Sequence, residues 1–266
     1  MKVLTQNTRP DYGIDAPGIR MGMMIISGIG IALFESDLFV PSEWIAHASK
    51  FFIVINYLGL IAFAYGAFMA SYMTWGSRVG KLKTRDKLLS KAEELVRWTE
   101  VSKVIDVGCG RGLMLCGAAK LMHKGQATGY DIWSNSDQSE NSPEATLINS
   151  QIEGVSDRVK IQTGDARNLP IESESVDLVM SHWVVHNIEP EEDQLQALSE
   201  MWRVLRPGGV VLLADIANVS KYKAYFENLG AQHLIFNDGG LEAKVMGLLS
   251  GGTYVPQTLV CSKSLQ

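Results

Sequence analysis

Val104-Ile105-Asp106-Val107-Gly108-Cys109-Gly110-Arg111-Gly112 is the stretch on which the fold turns. Its apolar, mostly β-branched opening reads as a buried parallel strand. The alternating glycines remove every Cβ where the backbone bends, and Leu113 to Met122 continues at helical spacing. Strand, glycine turn and helix N-terminus together present free N–H groups to a ligand. The spacing is G-x-G-x-G rather than the G-x-G-x-x-G of dinucleotide enzymes, which argues against NAD or FAD.

A second strand, Ala127 to Ile132, ends on Asp131, about twenty residues past the glycines, where an acid can accept from ribose hydroxyls. Ser134 to Ser142 is a long polar loop at the carboxyl edge of the sheet and a candidate substrate-side loop; Ser142 then caps a helix with Pro143 at its first position. Strand 3, Arg158 to Gln162, precedes Gly164-Asp165-Ala166. Strand 4, Ser175 to Met180, leads into Ser181-His182-Trp183-Val184-Val185-His186-Asn187. After a helix over Pro190 to Arg206, Leu205-Arg-Pro-Gly-Gly209 reads as a glycine turn into strand 5, Val210 to Ile216. Ala231 to Asn237 and Thr253 to Ser262 read as an antiparallel edge pair, separated by the glycine-rich insertion Asp238 to Gly252.

In this order and spacing the segments from Val101 to Ser262 resemble the class I S-adenosylmethionine-dependent methyltransferases. The resemblance implies an α/β, Rossmann-like sheet of order 3-2-1-4-5-7-6 with helices on both faces. It implies S-adenosyl-L-methionine as cofactor and S-adenosyl-L-homocysteine as product. It sets Asp106, Gly108, Cys109, Gly110 and Gly112 around the methionine portion, Asp131 with Ile132 at the ribose, and Asp165 with Ala166 at the adenine. Ser181 falls at the end of strand 4, and Trp133 is a candidate for stacking near the cofactor.

His182 and His186 follow strand 4, where the resemblance places the methyl group against its acceptor. Each is a candidate general base, because an imidazole titrates near neutrality. Their four-residue separation would put both on one face of a helical turn. No third ligand has a spacing that suggests a metal. The x-x-x-x-H pattern resembles small-molecule and lipid-quinone methyltransferases, not the N-P-P-Y type acting on nucleic acid. The formal charge of -5 also leaves no basic field for nucleic acid. The three cysteines, Cys109, Cys116 and Cys261, have no C-x-x-C spacing and read as reduced thiols.

The first eighty residues differ in kind. Met21 to Phe34 and Phe51 to Trp75 carry no charged side chain. They read as a hydrophobic hairpin, with helices at about 20–40 and 51–75, ahead of a methyltransferase domain over 81–266. Gly22, Gly28, Gly30, Gly59, Gly66 and Ala70 offer close helix approach, within the hairpin or between copies of the chain. Lys2, Arg9 and Arg20 precede the first run, and Arg78, Lys81, Lys83, Arg85 and Lys87 follow the second. That asymmetry puts both ends on the cytoplasmic side of a membrane, with the basic cluster near anionic headgroups. Leu82 to Trp98 reads as an amphipathic helix entering the catalytic domain. Asp11-Tyr-Gly-Ile-Asp-Ala-Pro17 ahead of an apolar hairpin is similar to a group of membrane-anchored bacterial methyltransferases.

The function expected is methyl transfer to a small-molecule or lipid-like acceptor at the cytoplasmic face of a membrane, the cytoplasmic membrane in a bacterium. Two rivals stand beside it. One is a non-catalytic sensor or scaffold that binds the nucleoside; the other is a soluble methyltransferase with a hydrophobic N-terminal lid.

Overall fold

In a computed structural model, which describes residues 9–265, the apolar runs after residue 100 pair into one seven-stranded sheet. Its strands are Lys103–Val107 (β1), Gln126–Asp131 (β2), Val159–Thr163 (β3), Val176–His182 (β4), Leu205–Asp215 (β5), Gln232–Asn237 (β6) and Gln257–Ser262 (β7). The order is β3-β2-β1-β4-β5-β7-β6, as expected, and only β7 runs against its neighbours. The order reverses between β1 and β4, so that a crevice opens beyond the carboxyl ends of these two strands.

Alternation along the buried strands sends side chains into two cores. Val104, Met180, Leu212 and Ala214 pack with Met114 and Leu115 of the helix Leu113–Leu121. Ile105, Val107, Val179 and Leu213 pack with Leu198 and Met201 of Glu191–Val204, and with Tyr222 and Phe226 of Val219–Asn228. Pro143–Ile152 and Gly240–Leu249 complete the helices of this part. We number the helices in chain order: Pro17–Phe34 (α1), Ser42–His47 (α2), Ser49–Trp75 (α3), Lys81–Ala92 (α4), Leu113–Leu121 (α5), Pro143–Ile152 (α6), Glu191–Val204 (α7), Val219–Asn228 (α8) and Gly240–Leu249 (α9).

Several elements differ from the sequence reading. β5 begins at Leu205, inside the run expected to be a turn. The glycines are accommodated by a register break: Val176 pairs Leu205, then Leu178 pairs Val210. The amphipathic helix expected over Leu82 to Trp98 ends at Ala92, and Leu95 and Val96 reach the core from turns instead. The insertion after Asp238 contains α9.

The chain groups into two units. One comprises Gly13–Lys81 with Asn135–Ser139; the other holds residues 9–12, Leu82–Ser134 and residues 140–265. Against the expected division at residues 80 and 81, residues 9–12 group with the sheet, and Lys81 and the centre of the polar loop group with the hairpin. Of the residues placed in the leader, Met1 to Thr8 lie outside the described part, Lys2 among them.

Within the hairpin unit, α1 has 18 residues and α3 has 27. At ~1.5 Å per residue they are about 27 and 40 Å long, against a hydrocarbon core of about 30 Å. The two pack backbone to backbone. A Cβ on Gly30 would lie 2.3 Å from the Phe63 nitrogen, one on Gly59 2.5 Å from the Phe34 nitrogen, and one on Gly66 2.5 Å from the Met23 oxygen. Gly22 and Gly28 take no part, having nothing within 4 Å of such a Cβ. Outward, Ile19, Ile25, Ile29, Phe51, Tyr57 and Ile61 are each more than half exposed.

Asp15 and Lys81 close this unit at its open end. The Lys81 ammonium is 2% exposed, donates to the Gly13 carbonyl at 3.0 Å and pairs with the Asp15 carboxylate at 3.0 Å. Lys81 is therefore an internal cation rather than part of a basic surface facing headgroups. Ala16 N–H donates to the Asp137 carbonyl at 2.9 Å, and Ser139 N–H to the Ile14 carbonyl at 2.9 Å. These bonds hold Asn135–Ser139 to the hairpin.

Candidate active site

The glycine loop is shaped by backbone that side chains resist. Gly108, Gly110 and Gly112 have φ of 71°, 51° and 84°, in the left-handed region. A Cβ on Gly108 would also overlap the Val184 side chain at 2.3 Å. Gly110 N–H donates to Asp131 Oδ2 at 2.7 Å, so the strand-2 acid and the loop are one structure.

Asp131 is 7% exposed. Its Oδ1 also accepts from Trp133 N–H at 2.6 Å and from the Asn141 amide at 3.2 Å. A carboxylate has about four acceptor directions, and these three bonds leave room for one ligand hydroxyl. Beside it Ile132 is 66% exposed, an apolar surface next to the acid. The Trp133 indole donates to the Thr163 hydroxyl at 2.9 Å, which fixes its ring at the end of β3.

Asp106 faces the other way, into α5. It is 1% exposed and accepts from Leu115 N–H at 2.9 Å in the first turn of the helix. Burial pushes its carboxyl up to about 7, the Leu115 bond pulls it down, and the Asp131 charge adds to the rise. Cys109 turns its thiol toward Gly129, behind the loop, and burial raises that thiol well above its ordinary range. It is a packing residue whose main-chain N–H donates to the Tyr130 carbonyl.

Asp165 is clamped by Arg167. The Arg167 Nη2 donates at 2.6 Å, Nε reaches both carboxylate oxygens at 3.0 Å, and the same guanidinium bonds Asp193 of α7 at 2.6 Å. The Arg167 hydrogen bonds hold the Asp165 carboxyl below the usual carboxylate range. The acid expected to accept from adenine is thus shared with a guanidinium that nothing in the sequence pattern flagged. Ala166 packs against the second core.

At the end of β4, Ser181 is 1% exposed, and its hydroxyl has no hydrogen-bond partner. An orphaned buried hydroxyl at the strand-order reversal, an acid with one free direction and an exposed apolar side chain beside it suit a nucleoside ligand. Among the described residues no group of three His, Cys, Asp or Glu gathers to hold a metal ion.

The two histidines do not share a helical face. His182 is the last residue of β4 and its ring stacks on Trp183, with centroids 4.9 Å apart. His186 lies in the short 3₁₀ turn Val185–Asn187. Its Nδ1 meets the carboxylate of Asp215, the last residue of β5, in a short contact, and its N–H donates to Asp215 Oδ2 at 3.1 Å. Asp215 is 1% exposed and is fixed further by Ile216 N–H at 2.8 Å. A carboxylate only accepts, so Nδ1 is the donor of this pair, and in the neutral ring the lone pair lies on Nε2. His186 borders an open cleft of about 570 Å³ with Ile188, Glu189, Pro190, Glu191 and Gln194. Asp215 was not singled out in the sequence. The rule that found Asp131, an acid ending a buried strand, applies equally to it.

Residues 105–213 match the family model described as a methyltransferase domain. The sheet order and the glycine loop agree with that match, and the fold is the Rossmann-like α/β architecture expected from the sequence. Methyltransferase GfsG of Streptomyces halstedii is 37% identical over 129 residues, 47% of this chain and 42% of that one. Demethylmenaquinone methyltransferase of Staphylococcus epidermidis is 36% identical over 115 residues, 43% of each. The chain spans about two fifths of the length of these relatives. Among solved structures, a protein assigned as a sarcosine dimethylglycine methyltransferase from Galdieria sulphuraria matches with TM-score 0.52 and 16% identity, over 69% of this chain and 86% of that one. The [4+2]-cyclase SpnF matches with TM-score 0.51 and 17% identity, over 70% of this chain and 82% of that one. One fold therefore carries different named reactions, and the reaction must be argued from the site.

Proposed function

We propose that this chain transfers a methyl group from S-adenosylmethionine to a small-molecule, lipid-like acceptor at the cytoplasmic face of a membrane. The observation that carries the reading is the His186–Asp215 pair, set at the carboxyl edges of β4 and β5 next to the crevice where the strand order reverses. Asp131, Ile132 and Ser181 hold the nucleoside against the glycine loop. S-adenosylmethionine held there would supply an electrophilic methyl carbon with a thioether as its leaving group. His186 Nε2 takes the proton of the acceptor, and Asp215 holds the ring in the tautomer that can do so and stabilises the imidazolium formed. The surrounding buried strands exclude water and fix the geometry of the approach.

A lipid-like acceptor is supported by the Staphylococcus relative, whose name specifies a quinone-type substrate. It is supported also by the two helices long and apolar enough to cross a membrane, whose outward faces are exposed and apolar. Arg78, Lys83 and Lys87 after α3 favour the cytoplasmic side for that end.

Two measurements test this. Purified protein mixed with S-adenosylmethionine and a total-lipid extract is expected to form S-adenosylhomocysteine above the rate without extract. Binding without turnover would favour the sensor reading. Separately, the expressed chain is expected to stay in the pellet after an alkaline carbonate wash. Its release into the supernatant would favour the soluble lid.

A further inference from the structure

Asp11 and Tyr12, in the stretch ahead of the hairpin, are built into the underside of the glycine loop. Tyr12 is 5% exposed and its hydroxyl donates to Glu153 Oε1 at 2.7 Å, just past α6. Burial raises the Tyr12 phenol above its ordinary range, so it stays a neutral donor. The Asp11 N–H donates to Asn149 Oδ1 at 2.9 Å. The Asp11 carbonyl accepts from Asn149 Nδ2 at 2.8 Å and from Arg111 Nε at 2.7 Å.

Arg111 is the middle residue of Gly110-Arg-Gly112, and it is only 8% exposed. Besides Asp11, its guanidinium donates to the Glu140 carbonyl at 3.1 Å. The next residue, Asn141, bonds the carboxylate of Asp131. From below, α6 grips the same loop: Asn149 Nδ2 donates to the Arg111 carbonyl at 2.9 Å and the Thr146 hydroxyl to the Gly110 carbonyl at 2.6 Å. A glycine-rich loop in left-handed backbone is floppy unless something outside it fixes its shape, and ordering it on binding would cost affinity.

The geometry points to Asp11–Tyr12 as a strap that positions the cofactor loop through Arg111, so that nucleoside affinity depends on residues about a hundred positions upstream. The inference rests on the cofactor reading above. Asp11, Tyr12 and Arg111 are positioning residues: Asp11 acts through its main chain, Tyr12 through Glu153, and Arg111 through the Asp11 and Glu140 carbonyls. Linkage makes the coupling reciprocal. A strap that favours binding is itself tightened by binding.

The test uses the full chain with S-adenosylhomocysteine as probe. By calorimetry, Arg111→Ala is expected to raise Kd about ten-fold, with Arg111→Lys in between. A role in folding alone would lower the unliganded thermal midpoint and leave the Kd of the folded fraction unchanged, which overturns the inference. Hydrogen exchange of the wild-type protein does not depend on the variants folding. Saturating probe is expected to slow exchange in peptides covering residues 9–12 as well as those covering the glycine loop. Protection of the loop without protection of 9–12 overturns the strap. Absence of any wild-type binding overturns the cofactor reading instead.

Discussion

Asp131→Ala is expected to weaken S-adenosylmethionine binding by about two orders of magnitude in a calorimetric titration. A hydrogen bond to a charged group contributes about 1.5–3 kcal/mol, and each 1.4 kcal/mol is roughly ten-fold in affinity. The substitution removes the ribose acceptor and, with it, the anchor of the Gly110 N–H. The carboxylate also satisfies Trp133 N–H and the Asn141 amide, so the thermal midpoint of the unliganded protein falls too. Asp131→Asn separates the two effects. It keeps the volume but brings a donor where Gly110 or Trp133 already donates, so it loses affinity with a smaller loss of stability. Unchanged affinity in Asp131→Ala would place the nucleoside away from the crevice between β1 and β4.

That crevice was legible because its parts are local. A strand followed by glycines, an acid ending the next strand and a polar loop after it are each read within ten residues, and the parallel order follows from the resemblance. The hairpin was legible for the same reason: Phe51 to Trp75 has no charge. What periodicity does not encode is pairing between distant, individually ordinary residues. Asp11 meets Arg111, Asp165 pairs with Arg167, and Lys81 turns inward to Asp15. Each adds a partner that the pattern does not show: part of the leader bonds the loop, the acid expected at the adenine is also half of an ion pair, and a basic surface loses a member. The interhelical glycines show the limit most simply. Six small residues fitted the pattern, but Gly22 and Gly28 face nothing, because the crossing of α1 and α3 decides which face meets the partner.

The His186–Asp215 pair carries the second large effect. With an acceptor in hand, His186→Ala is expected to lower kcat by roughly 10²- to 10⁴-fold, the usual contribution of a positioned general base, with cofactor Kd unchanged. Asp215→Asn leaves the size of the side chain intact. Its amide can donate toward Nδ1, which moves the imidazole proton to Nε2 and removes the lone pair that accepts the acceptor's proton. It should therefore approach the loss of His186→Ala, and the double variant should be little worse than either alone, because the two residues act as one unit. Were the rate to be unaffected in His186→Ala, the acceptor would be a nucleophile that needs no base, such as a thiolate or a neutral amine, and His186 would not be the general base.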